Sequence, residues 1–216
     1  MKRYLTFEEI SDGKKYRLND YVSADCDGCV NCYECCKFTD DTIHLDPLDI
    51  FNLSKALNKG FTEMLDSCIN LTVVDGVITP FLLKKKESGT CVFLSNGRCE
   101  IHKFRPGFCR LFPLGRIYED DGSFKYFIQV HECPYESKKP VRVSDWLSID
   151  EPLKYEVFIR NWHFVIKTVS EDFKDEPEAL KEANMNLLNI FFIKPYDLNS
   201  SFYEQFNQRF NKWLGN

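Results

Sequence analysis

Residues Cys26–Lys37 read CDGCVNCYECCK, with five cysteines in the eleven positions from Cys26 to Cys36, the last two adjacent. So dense a set of thiols is a disulfide framework, a redox site or a set of ligands for one or more metals, and the compartment helps to decide among them. The N-terminal stretch MKRYLTFEEISDGKKYRLND carries two early cations with no apolar run behind them, so a secretory signal is not expected. No window approaches the roughly 18 apolar residues that a bilayer span requires. The chain therefore reads as cytoplasmic, with no membrane contact expected. Structural disulfides do not persist in a reducing compartment, which favours reading the ten cysteines of this 216-residue chain as ligands.

Spacing refines that reading. A C-x-x-C turn points two thiolates at one metal, and here three such turns overlap: Cys26–Cys29, Cys29–Cys32 and Cys32–Cys35. Neighbouring side chains in an extended segment face opposite sides. Cys35 and Cys36 are thus expected to serve different metals, or different atoms of one cluster. Cys26, Cys29, Cys32 and Cys36 also reproduce the C-x2-C-x2-C-x3-C run of bacterial ferredoxins, although Lys37 stands where the ferredoxin proline would follow. Farther along, Cys91 and Cys99 flank a Ser-Asn-Gly turn, and Cys109 and Cys133 follow.

The remaining sequence predicts an α+β fold. A short helix near TFEEI is followed by turn-rich sequence, and TIHL (42–45) reads as a short strand. DPLDIFNLSKALNKG (46–60) is strongly punctuated as a helix, with Asp46 as N-cap, Pro47 in the first turn, Asp49 complementing the dipole and Gly60 as the stop. FTEMLDSC predicts a second short helix that carries Cys68 as a buried small apolar side chain. Three hairpins follow, turning at Asp75–Gly76, Asn96–Gly97 and around Asp121–Gly122. No cysteine occurs after residue 144. Helical periodicity returns there, over about 153–169, 177–193 and 200–214. Residues 1–143 are read as a cysteine-cluster metal-binding domain: a small cysteine-rich, metal-centred core of loops, short β-hairpins and helices. Residues 144–216 are read as a helical C-terminal region packed on it.

The formal net charge of −5 gives no chain-wide basic footprint, so nucleic acid is not an expected partner, which leaves an unidentified protein or small molecule. No nucleophile elbow, HExxH or phosphate-binding loop is present.

The core Cys29-x2-Cys32-x2-Cys35-Cys36, together with CVFLSNGRCEIHKFRPGFCRLFP at 91–113 and the late Cys133, resembles the CxxCxxCC cysteine-cluster family, also labelled YkgJ-like, of zinc- or iron-chelating proteins. The resemblance covers roughly residues 26–135. It implies Cys29, Cys32, Cys35, Cys36, Cys91, Cys99, Cys109 and Cys133 as metal ligands, enough for two four-ligand sites or for one cluster with spare positions. Cys26 lies outside the usual pattern and is carried as an additional ligand. His102 stands where the family has Tyr, which counts against it as a ligand, while His131 in HEC remains a weaker candidate. Arg105 and Arg110, with Arg116 nearby, are cofactor-side candidates that either offset thiolate charge or hold an anionic substrate; the competing role is pairing with carboxylates.

The cofactor is accordingly an iron–sulfur cluster or zinc. Three functions follow: an iron–sulfur protein, a zinc-stabilised structural or interaction module, or an enzyme similar to flagellin lysine N-methylases, which share a related cysteine cluster and are associated with S-adenosylmethionine. The chain lacks both the Cx3CxxC run of radical enzymes and a G-x-G cofactor loop, which places the methylase reading last.

Overall fold

The computed structural model describes residues 6–25, 33–37, 43–130, 132–133 and 138–215, with the backbone alone of Glu34 and Cys35. The first helix, α1 (Phe7–Ile10), closes a reciprocal capping box between Thr6 and Glu9. The next strand, β1 (Tyr21–Asp25), leads to the cysteine run, and the chain is described again at Tyr33 and α2 (Glu34–Lys37).

The helix expected after Asp46 is α3 (Pro47–Leu57), and its start is doubly fixed. Asp46 Oδ1 accepts the Asp49 N–H at 2.9 Å, and Asp49 Oδ2 accepts the Asp46 N–H at 3.1 Å. Its end differs from the sequence expectation. Asn58, at φ +52°, takes the left-handed position that closes the helix, while Gly60 sits at an ordinary φ of −75° as the cap of α4 (Phe61–Met64). Cys68 lies just past α4, in the turn before the next strand; it is buried, and its thiol faces the Met64 carbonyl at 3.7 Å.

All three expected hairpins form: β2 (Ile69–Val74) with β3 (Val77–Leu82), β4 (Leu94–Ser95) with β5 (Arg98–Cys99), and, after α5 (Gly107–Leu111), β6 (Leu114–Tyr118) with β7 (Phe124–Ile128). Asp75–Gly76 and Asn96–Gly97 hold positive φ at both turn positions, the geometry whose twist suits a two-residue hairpin. The TIHL segment contributes less than a full strand. His44 bridges Phe81 alone, although Leu45 N–H also reaches Pro80 O at 2.8 Å. A fourth antiparallel pair joins β1 to β8 (Lys139–Arg142), so the segments on either side of the cysteine-bearing sequence are tied to each other.

From β8 the chain enters α6 (Val143–Leu147), then α7 (Pro152–Asp172), α8 (Pro177–Leu188) and α9 (Phe202–Trp213). The expected helix through residue 193 continues α8 as a π-helical turn over Asn189–Ile193. The carbonyls at its end are met by the buried Arg209. Its guanidinium donates to Ile190 O, Lys194 O and Pro195 O at 2.7–2.8 Å while lying over the Tyr196 ring. The α7–α9 layer packs through aromatic edges: Phe158 on Phe206 at 4.7 Å and on Phe202 at 5.1 Å, and Trp162 on Phe191 at 5.4 Å. The same layer meets earlier elements through Phe51–Phe202, Phe61–Phe192, and Asn184, which bonds both Ile78 N and Gly76 O across the β2–β3 turn. Among the described residues no helix is long and apolar enough to cross a membrane.

Candidate metal centre

Four of the predicted ligands reach one cavity. Cys36, Cys91, Cys99 and Cys109 line a cavity of about 1380 Å³, larger than the roughly 300–1,000 Å³ of ordinary small-molecule sites. Each reaches it on a different support. Cys36 sits in α2. Cys91 is fastened beside it, its N–H donating to Cys36 O at 3.0 Å, with Val92 N–H on Leu83 O extending the connection to the residue just past β3. Cys99 closes β5 opposite Leu94. The tight turn before it lies under Tyr33: a Cβ on Gly97 would meet that ring at 3.3 Å, so the absence of a side chain permits the contact. Lys37 covers the Tyr33 ring at 4.3 Å. Cys109 stands on α5, two residues beyond Gly107.

Asp25 and Tyr33, the described residues flanking the Cys26–Cys32 run, line the same cavity. Cys26, Cys29 and Cys32 themselves lie outside the described residues, as do the Cys35 side chain and His131. Cys133 is half-buried and is not part of the cavity lining. Among the described residues no three His, Cys, Asp or Glu side chains converge tightly enough to hold a metal ion. The donor chemistry nevertheless fits the implied group, because soft thiolates select zinc and iron–sulfur clusters.

The segment RPGFCRLFP places Cys109 by several contacts at once. Pro106 precedes the first turn of α5, and the Gly107 N–H donates to Asp49 Oδ1 at 2.7 Å. Arg110 turns back on its own loop. Its guanidinium donates to Arg105 O at 3.0 Å, to Ser148 O at 3.0 Å and to Lys103 O. Arg105 in turn donates to His102 O at 3.1 Å. Both arginines line the cavity, with Arg110 donors on backbone carbonyls. Partial desolvation, then Arg105, Arg110 and Arg98, lower the His102 pKa, which marks this side of the cavity as cationic. Phe112–Pro113 is a cis peptide, and Phe112 O accepts from Trp146 Nε1 at 3.2 Å.

Sequence reasoning missed a polar cluster at this cavity, whose lining includes Asp49 and Tyr155. Asp46, Asp49, Arg116 and Tyr155 meet where α3, α5, β6 and α7 come together. Asp49 is 3 % exposed and Tyr155 1 %. Arg116 bonds the Tyr155 hydroxyl and stacks 5.5 Å from its ring. Burial opposes the Arg116 charge, but Tyr155, Tyr118, Tyr126 and Asp46 outweigh it and hold the guanidinium more firmly protonated than usual. Burial pushes Asp46 up to about 6, and burial with the neighbouring Asp46 charge raises Asp49 well above the usual carboxylate range. The D-x-x-D capping box was the available signal; its partners lie too far along the chain to be read from it.

The sign of the resulting pH dependence follows. Both carboxyls keep their protons to higher pH when folded, so the folded state binds more protons above about pH 4, and the stability contributed by the pair falls as pH rises through about 6. Asp46→Asn retains an N-cap oxygen and removes one of the two carboxylates. It is expected to gain stability relative to wild type from about pH 5 to about pH 8. The difference in urea midpoint across that range measures it, and a flat difference would show that the pair does not titrate.

A family model described as "CxxCxxCC: putative zinc- or iron-chelating domain" matches residues 25–134. No curated protein and no solved structure matches the chain.

Proposed function

Because the chain belongs to the CxxCxxCC family, we propose that it holds a cysteine-ligated metal centre in the cavity behind α5, and that this centre is an iron–sulfur cluster. The ligand set is drawn from Cys29, Cys32, Cys35, Cys36, Cys91, Cys99, Cys109 and Cys133, with Cys26 as an additional donor. One observation carries the reading: Cys36, Cys91, Cys99 and Cys109 line one cavity whose wall also includes Asp25 and Tyr33, at either end of the Cys26–Cys32 run. Seven residues join those two wall positions, so each cysteine between them is within about 14 Å of extended chain of the wall.

The size of the cavity favours a polynuclear group over closed zinc tetrahedra, which draw four ligands to about 2.3 Å of one ion. When bound, such a group supplies electron transfer; the cations at Arg98, Arg105 and Arg110 offset part of its negative charge. A zinc-stabilised module is the second reading, favoured by the smallness of β4–β5, two residues per strand, which needs external support to persist.

Metal analysis with an absorption spectrum, on protein purified without oxygen, separates the two. Iron with acid-labile sulfide and a broad band near about 400 nm is expected. Stoichiometric zinc in a colourless protein replaces the first reading by the second, and absence of any bound metal overturns both.

A further inference from the structure

The hydrogen bond from Gly107 N–H to Asp49 Oδ1 runs between two elements 58 residues apart in sequence, at 2.7 Å, in a buried setting. It joins the N-terminal turn of the longer helix α3 to the first residue of α5, the five-residue helix that bears Cys109. A helix this short does not hold its own orientation, because one turn has too few internal bonds to offset the ordering of its residues. External contacts must set where Cys109 points. Arg110 fastens α5 to the carbonyls of its own loop and of Ser148. Asp49 fastens it to α3.

We propose that Asp49 is the positioning residue for Cys109: its buried carboxylate bridges the Asp46 and Gly107 N–H groups and so fixes the turn that presents the thiol to the cavity. The proposal rests on the reading of Cys109 as a metal ligand. Three further features support it. Asp49 uses a different oxygen for each bond, Oδ1 for Gly107 and Oδ2 for Asp46, so its side chain cannot rotate without losing one of them. Residue 107 lies close to both partners; a Cβ there would be at ordinary contact distance, 3.4 Å from the Tyr155 hydroxyl and 3.6 Å from Asp49 Oδ1. Tyr155, held by Arg116, stands on the far side of the same junction, and the Arg116 charge partly offsets the burial of the Asp49 carboxyl. Partners that orient a metal ligand from behind contribute about 10–100-fold to metal affinity.

The test is a double-mutant cycle on the full chain, reconstituted with zinc ion alone as the probe of the thiolate site. The rate of zinc transfer to an excess of chromogenic chelator is measured for wild type, Asp49→Ala, Cys109→Ser and the double variant. Asp49→Ala is expected to release zinc about 10–100-fold faster. In the Cys109→Ser background the same replacement is expected to change the rate less than about twofold, because the thiol through which Asp49 acts is gone. Asp49→Asn keeps a carbonyl acceptor for Gly107 but loses the one for the Asp46 N–H, and is expected to fall between wild type and Asp49→Ala. Equal acceleration with and without Cys109 would place the effect of Asp49 in general fold stability and overturn the proposal, as would no acceleration at all. Where circular dichroism shows Asp49→Ala unfolded, the cycle is run with Asp49→Asn, expected to be accelerated at least about threefold with Cys109 present and unchanged without it. Zinc release from Cys109→Ser no faster than from wild type removes Cys109 as a ligand, a failure of the underlying reading that is seen before any Asp49 variant is compared.

Discussion

Removing the metal with a strong chelator is expected to loosen the thiol-bearing part of the chain while the aromatic layer of α7–α9 keeps its packing. The elements around the cavity are too small to stand alone: α2 has four residues, α5 has five, and β4–β5 has two residues per strand. In zinc-finger peptides a structural metal contributes about 10–16 kcal/mol of folding free energy. The helical layer needs no such support. Phe158, Phe191 and Phe206 are each at most 1 % exposed, and burying one such side chain contributes about 1.5–3 kcal/mol. Tryptophan reports the two regions separately: Trp146 bonds Phe112 O beside α5, whereas Trp162 packs on Phe191 and Phe192. In a chain with Trp146 alone, chelation is expected to shift emission to longer wavelength; with Trp162 alone, emission is expected to hold until the helices melt. Trp146 stands just past residue 143, on α6, and reports the thiol-bearing side through its bond beside α5; a single shared transition would end the proposed division. Within residues 1–143, α3, α4 and the β2–β3 hairpin are expected to respond least, because Phe51, Phe61 and Ile78 contact the helical layer directly.

What the sequence made legible is what a few neighbouring residues decide. Asp-Gly and Asn-Gly turns announce themselves because few residue types tolerate positive φ at both positions. The Asp46 cap is readable because donor and acceptor are three residues apart. The stop of α3 was misplaced for a related reason. Gly60 looks like the better left-handed residue, but Asn58 also adopts that conformation, and Gly60 was already needed to start α4. The π turn at 189–193 leaves no mark in the pattern, since Leu187 and Phe191 are both buried, as a continuous α-helix would have them.

At the site, the hairpin that carries Cys99 was legible, whereas the pairing of Cys91 with Cys36 and of Asp49 with Gly107 depends on chain segments that meet only after folding. Arg116 shows the limit most clearly. Its place near the cysteines in sequence allowed a role in balancing thiolate charge, but in the fold it bonds the Tyr155 hydroxyl, near enough to Asp46 and Asp49 for its charge to favour their ionised forms.

Arg116→Met is accordingly expected to cost about 1–3 kcal/mol at neutral pH, because it leaves the buried Tyr155 hydroxyl without its partner and removes the nearby charge that favours the ionised Asp46 and Asp49. Methionine approximately fills the space of the arginine stem, so the loss reports charge and hydrogen bonding more than a void. The cost should be pH-dependent, with a definite sign. Without the guanidinium both carboxyls bind protons still more tightly, and once protonated they no longer need a counter-charge. The deficit relative to wild type is therefore expected to shrink as pH falls from about 8 to about 5, compared at each pH so that metal loss affects both chains alike. Asp46→Asn placed on top of Arg116→Met removes one of the stranded carboxylates and is expected to restore at least about 1 kcal/mol. Urea titrations of the two single variants, the double variant and wild type at several pH values measure all of this. A deficit below about 1 kcal/mol that does not vary with pH would mean that the carboxylates are neutralised from elsewhere, and Asp49 would then lose the charge that makes it a firm anchor for α5.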